Sequence, residues 1–145
     1  MKALLQRVSA ARVEVDGETV GAIGRGLLVL VGLDKGDDEA SAGRLLDKLL
    51  AYRVFPDAAG RMNCSVADIG GGVLLVSQFT LSADTRKGLR PSFSSAMPPA
   101  EAGLLYQRML QMLRDRHAEV AAGRFGADMQ VSLTNDGPVT FMLES

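Results

Sequence analysis

The chain has no tryptophan, a single cysteine and a single histidine, and aromatic residues make up only 5% of its 145 positions. Each shortage closes a route. With Cys64 alone no internal disulfide can form, a usage that fits a reducing cytoplasm. A zinc site wants three or four Cys, His or carboxylate ligands, and Cys64 with His117 would have to lean on carboxylates, so no metal is expected. So few aromatics argue against an extended base-stacking platform. An excess of positive charge is missing too. The chain carries 16 basic and 17 acidic residues, a net charge of −1, whereas proteins that grip nucleic acid through phosphates are usually clearly basic. Any RNA contact must therefore be local, at one patch or at a strand end. Met1 to Arg7 lacks the apolar core of a signal peptide. The most apolar run, Leu27 to Val31, is flanked by glycines and far too short to span a bilayer. A soluble, cytoplasmic protein is expected.

What is present reads as one α/β domain over 1–145, with no repeat and no linker. Leu4 to Val8 is strand-like, and Val13 to Val20 holds two short strands around the Asp16-Gly17 turn. Gly26 to Leu33 is a continuous apolar run, the pattern of a strand buried on both faces. Asp37-Asp38-Glu39 opens a helix whose stripe is Ala42, Leu45, Leu46, Leu49 and Leu50. Gly70 to Gly72 is a turn, and Val73 to Val76 a buried strand running into Ser77-Gln78-Phe79-Thr80. A polar loop spans Ser82 to Met97, and Pro98-Pro99 opens a second helix through Arg116. Glu119 to Phe125, Met129 to Leu133 and Val139 to Leu143 are three further strands, the last two joined by an Asn135-Asp136-Gly137-Pro138 hairpin connection. The expected architecture is a compact, mostly antiparallel sheet or open barrel with two main helices packed on one side.

The chemistry these residues permit is narrow. A Ser-His-Asp triad would need His117, which falls in Arg114-Asp115-Arg116-His117 at a helix C-terminus, where a cation is favoured without any catalytic role. No Gly-x-Ser-x-Gly elbow and no phosphate-binding glycine loop occurs. Cys64 has no basic neighbour to activate it. Polar residues leaving a buried strand are rigidly held, which leaves Ser77, Gln78, Phe79 and Thr80 as candidates. From spacing alone they are more often an ordinary strand end, and Gly137-Pro138 an ordinary trans turn.

Taken together, several segments resemble the bacterial D-aminoacyl-tRNA deacylase family. They are Leu5-Gln6-Arg7-Val8, Gly24 to Val29, Ser77-Gln78-Phe79-Thr80-Leu81, Ala83 to Gly88, Arg90-Pro91-Ser92-Phe93, Gly123 to Met129, and Asn135 to Thr140. They span the chain in order. The resemblance implies the family's α/β fold, a homodimer with sites at the interface, and hydrolysis of the ester between a D-amino acid and the terminal adenosine of tRNA, with no cofactor. Glycine mischarged onto alanine tRNA would also be removed. The partner is the aminoacylated acceptor end, with no DNA and no membrane. Ser77, Gln78, Phe79 and Thr80 would form the catalytic segment. Gly137 and Pro138, joined by a cis bond, would exclude L substrates. Arg86, Lys87 and Arg90 would touch tRNA phosphate. Two schemes for the chemistry stay open: Thr80 as a covalent nucleophile assisted by Gln78, or water activated by the tRNA's own 2′-hydroxyl. Two other readings also remain, an esterase for small achiral adducts and a dimeric module that binds the acceptor end without turnover.

Overall fold

A computed structural model of the whole chain, residues 1–145, shows eight strands and three helices. β1 (Lys2–Val15) is the spine. Its first half pairs antiparallel with β3 (Gly26–Gly32) and its second half with β2 (Glu18–Ile23), which returns from the Asp16-Gly17 turn. β8 (Gln130–Glu144) pairs antiparallel along the opposite edge of β1 for nearly its full length. β6 (Gly72–Ser77) and β7 (Val120–Ala122) extend the sheet from β3 in parallel. The strand order is β2-β1-β3-β6-β7, and β2 comes round to touch β7, so the sheet is nearly closed. It is mixed, with every antiparallel pair centred on β1. β4 (Phe55–Pro56) and β5 (Met62–Cys64) form a separate small hairpin.

Helix α1 (Glu39–Ala51) starts at Asp38, whose carboxylate accepts the Ser41 N–H while the Ser41 hydroxyl accepts the Asp38 N–H. That reciprocal cap satisfies two otherwise orphaned donors. Leu45, Leu46, Leu49 and Leu50 are buried, as the stripe requires. A one-turn α2 (Val66–Ile69) follows, unsignalled in the sequence because four residues carry no period. α3 (Pro99–Arg116) turns Tyr106, Met109, Met112 and Leu113 inward. α1 and α3 pack together over one face of the sheet, where the main core joins their apolar faces to Leu27, Val29, Val73 and Leu75. Leu28, Leu74 and Val76 point the other way, into a smaller cluster with Val8 and Val13. β3 and β6 are therefore buried on both faces, as their unbroken apolar runs anticipate. No helix is long and apolar enough to cross a membrane.

The expected hairpin at Asn135 to Pro138 is not there. Both flanking runs belong to the single strand β8, and the four residues 136–139 bulge out opposite Arg7 alone, since Val8 pairs Asn135 and Gln6 pairs Thr140. The strand expected over Glu119 to Phe125 shortens to Val120–Ala122, which pair with Val73, Leu74 and Leu75 of β6.

Candidate active site

The three parallel strands β3, β6 and β7 end side by side. Crevices beyond the carboxyl ends of parallel strands are the usual binding places in open α/β sheets. A cavity of about 730 Å³ lies there. Lys35 comes from the turn after β3, Ser77, Gln78 and Phe79 from the end of β6, and Phe125, Gly126 and Ala127 from the segment after β7. Phe93 and Ala96 to Pro99 close one side, and Met129 with Val131 at the head of β8 another.

The wall is rigidly held. Ser77 is the last residue of β6 in register with Val31, and the Gln78 N–H donates to the Val31 carbonyl at 2.7 Å. The chain then tightens into a 3-10 turn over Phe79–Ser82, and the Gln78 amide donates to the Thr80 hydroxyl. The exposed Phe79 ring rests on Phe93, with centroids 5.1 Å apart. The loop carrying Phe93 is tied back by Met97 N–H to the Leu33 carbonyl (2.9 Å) and Lys35 N–H to the Ser95 carbonyl (3.0 Å). Beneath, the fully buried Tyr106 hydroxyl is shared between the carbonyls of Leu75 (3.0 Å) and Gly123 (3.1 Å), and burial pushes its pKa up to about 12.

Lys35 is the only charged residue on this wall; no carboxylate and no imidazole lines it. His117 lies at the opposite end of β6, capping α3, with Nε2 2.6 Å from the Gly71 carbonyl oxygen. Thr80 belongs to the 3-10 turn but does not reach the cavity lining.

Gly137 and Pro138 do not line the cavity of their own chain either. Their peptide bond is cis, and Gly137 sits at φ +141°. The bulge is fixed from both sides: Asn135 accepts the Val139 N–H through its side-chain oxygen (2.8 Å), and Arg7 donates to the Asp136 carbonyl (2.9 Å) and the Val54 carbonyl (2.7 Å). Arg7 thus holds the bulge in place, a role that no spacing signal revealed.

Arg86, Lys87 and Arg90 sit outside the cavity in a small exposed loop closed by paired hydrogen bonds between Asp84 and Ser92. Arg86 clasps Asp84 at 2.7 Å, and its hydrogen bonds hold that carboxyl well below the usual carboxylate range. Lys87 and Arg90 make no ion pair and are the free cations of the loop.

Residues 4–144 match the family model described as D-Tyr-tRNA(Tyr) deacylase. A D-aminoacyl-tRNA deacylase of Stutzerimonas stutzeri (strain A1501) is 68% identical over 145 residues, covering all of both chains. Among solved structures, one titled c-Myc DNA Unwinding Element Binding Protein superposes with a TM-score of 0.96 at 44% identity, covering 100% of this chain and 99% of its own. A probable eukaryotic D-amino acid tRNA deacylase superposes with a TM-score of 0.85 over 99% of this chain and 98% of its own; at 18% identity, that likeness speaks for the fold alone.

Proposed function

This chain belongs to the D-Tyr-tRNA(Tyr) deacylase family, a family of ester hydrolases acting on aminoacyl-tRNA, and on that footing we propose that the cavity beyond β3, β6 and β7 takes the D-aminoacyl adenosine at the tRNA 3′ end. The observation that carries the proposal is the rigidly held run of Ser77, Gln78 and Phe79 at the end of β6, on a cavity wall that bears no carboxylate and no imidazole. An aminoacyl ester is already activated, so water needs positioning and a place for the developing oxyanion. Phe79 and Thr80 open the 3-10 turn, where N–H groups have no partner within the helix. Of these, the N–H of Phe79, which lines the cavity, donates to the carbonyl oxygen as it becomes tetrahedral, with the Ser77 hydroxyl on the same wall. Water adds to the carbonyl carbon as one of its protons passes to the ribose 2′-oxygen and the 2′-hydroxyl's own proton passes on to the 3′-oxygen. The bond between that oxygen and the carbonyl carbon then breaks, releasing tRNA with a free 3′-hydroxyl and the free amino acid. Thr80 is a poor nucleophile here: its oxygen accepts from the Gln78 amide and no base stands by to take its proton.

Gly137-Pro138 acts in a second copy's cavity, which makes the working protein a homodimer. That neither residue lines its own chain's cavity supports the reading. So does the long edge of β8, which pairs only with β1 and exposes Leu133, Phe141 and Met142; an apolar open edge is a ready pairing surface. Carbonyls of the bulge receive the substrate's α-ammonium, and its backbone fills the space an L side chain needs. Glycine has no side chain to exclude, so Gly-tRNA(Ala) is also hydrolysed. In the cytoplasm the result is removal of D residues before translation, which keeps protein homochiral. Lys87 and Arg90 reach acceptor-stem phosphate, and Arg86, already engaged by Asp84, contributes little.

The deciding experiment is deacylation of D-Tyr-tRNA and L-Tyr-tRNA by the purified protein. The D ester should be cleaved at least about 100-fold faster, the level of discrimination that excluding a group from a rigid site can supply. Equal rates, or an untouched D ester, would sink the proposal.

A further inference from the structure

We infer that Lys35 binds the phosphate on the 5′ side of the terminal adenosine and so sets the direction in which the aminoacyl nucleotide enters the cavity. The inference rests on the deacylase reading above. Lys35 is the single charge on the cavity wall, and it makes no ion pair although it stands among Asp34, Asp37 and Asp38. Each of the three carboxylates has a partner other than Lys35, and only Asp34 Oδ1, 3.9 Å from the Lys2 ammonium, accepts no hydrogen bond. Asp34 and Asp37 hold the Met1 ammonium at 3.0 and 2.8 Å, and Asp38 caps α1. The lysine is therefore free for an outside anion.

Its backbone is also fixed. Asp34 to Asp37 form a tight turn, with Asp37 N–H on the Asp34 carbonyl (3.1 Å), Asp34 N–H on the Asp37 carboxylate (2.7 Å) and Gly36 at φ +89°. Lys35 N–H is bound to Ser95, and Asp34 bridges Ala96, so the turn and the Phe93 loop move together.

The ligand's own charges complete the argument. A cavity of about 730 Å³ accommodates one aminoacyl nucleoside. Within the last nucleotide of an aminoacyl-tRNA there is one anion, the 5′ phosphate, and one cation, the α-ammonium of the amino acid. An ammonium at the rim of an apolar wall attracts the first and repels the second, an effect that acts at short range because Lys35 is exposed and salt screens it. Lys35 thus directs the phosphate to the β3 side and leaves the α-ammonium for the end where the Gly137-Pro138 bulge arrives. A lysine, a point charge on a flexible stem, suits a phosphate without demanding bidentate geometry.

The test compares two minimal substrates, D-tyrosyl-adenosine, which has no phosphate, and D-tyrosyl-CpA, which has one. The quantity read is the ratio of their kcat/KM values, in the parent, Lys35→Ala and Lys35→Arg. In Lys35→Ala the advantage of the phosphate-bearing substrate should fall about tenfold, through KM, and Lys35→Arg should retain most of it. Should Lys35→Ala lose turnover altogether, the same ratio is read from equilibrium binding of CpA and adenosine to the folded variant. An unchanged ratio in Lys35→Ala overturns the inference even if both rates drop. A parent that cleaves no D ester, including D-Tyr-tRNA, would instead fault the deacylase reading itself.

Discussion

Gly26→Ala should cost more than about 4 kcal/mol, a large share of the roughly 5–15 kcal/mol that holds a domain folded. A Cβ at Gly26 would lie 1.9 Å from the Gly72 carbonyl oxygen and 2.7 Å from the Gly72 carbonyl carbon and nitrogen. Every one of these atoms is backbone, so no side chain can rotate away. Gly26 and Gly72 are also the first register pair of the parallel β3–β6 ladder, and opening it would disturb strands buried on both faces. Gly24→Ala, two residues earlier, makes the control: nothing lies within 4 Å of its Cβ position. It should change stability by no more than about 0.5 kcal/mol, as surface substitutions usually do. Urea denaturation of the two variants reads the difference, and equal midpoints would show that the ladder yields far more easily than its contacts imply.

Gly137→Ala should leave the fold standing and remove the activity. At φ +141° a Cβ would meet Val139 Cγ2 at 2.6 Å, the Val139 nitrogen at 2.9 Å and an Arg7 guanidinium nitrogen at 3.3 Å. Backbone strain of this kind is worth about 1–3 kcal/mol. It falls on a bulge at an exposed edge, while β8 stays paired with β1 on both sides of it. The bulge must shift, and a small displacement of a positioning group can cost about 100-fold in rate. Single-turnover deacylation of D-Tyr-tRNA beside a thermal melt separates the two effects. Activity within about threefold of the parent, in a protein that melts normally, would mean that the bulge does not form part of the site.

Much of the fold was legible because period and punctuation agreed. The apolar runs of β3 and β6, the stripe of α1 and the proline that opens α3 each had one reading, and the structure bears them out. The bulge misled because Asn, Gly and Pro serve a four-residue bulge for the same reasons they serve a hairpin: a side-chain oxygen for a local N–H, a positive φ, and no donor to leave unpaired. Only the length of the partner strand β1, visible in no local window, decides between them. The candidate site was legible in part. Ser77, Gln78 and Phe79 stood out at a strand end and do line the cavity. Lys35, Phe125 and Met129 did not, since they converge only once β3, β6 and β7 are known to lie parallel. Lys35 had one usable signal, its place one residue before a glycine just past a buried strand.

The separation of Gly137-Pro138 from its own chain's cavity has a consequence at the level of inheritance. If each cavity borrows its bulge from the partner, a subunit spoiled at Gly137 and one spoiled on the cavity wall have faults that can be sorted apart. A mixed pair would hold one site carrying both faults and one carrying neither. Two inactive preparations, dissociated and reassembled together, would then regain activity, and two defective alleles in one cell could cover for each other.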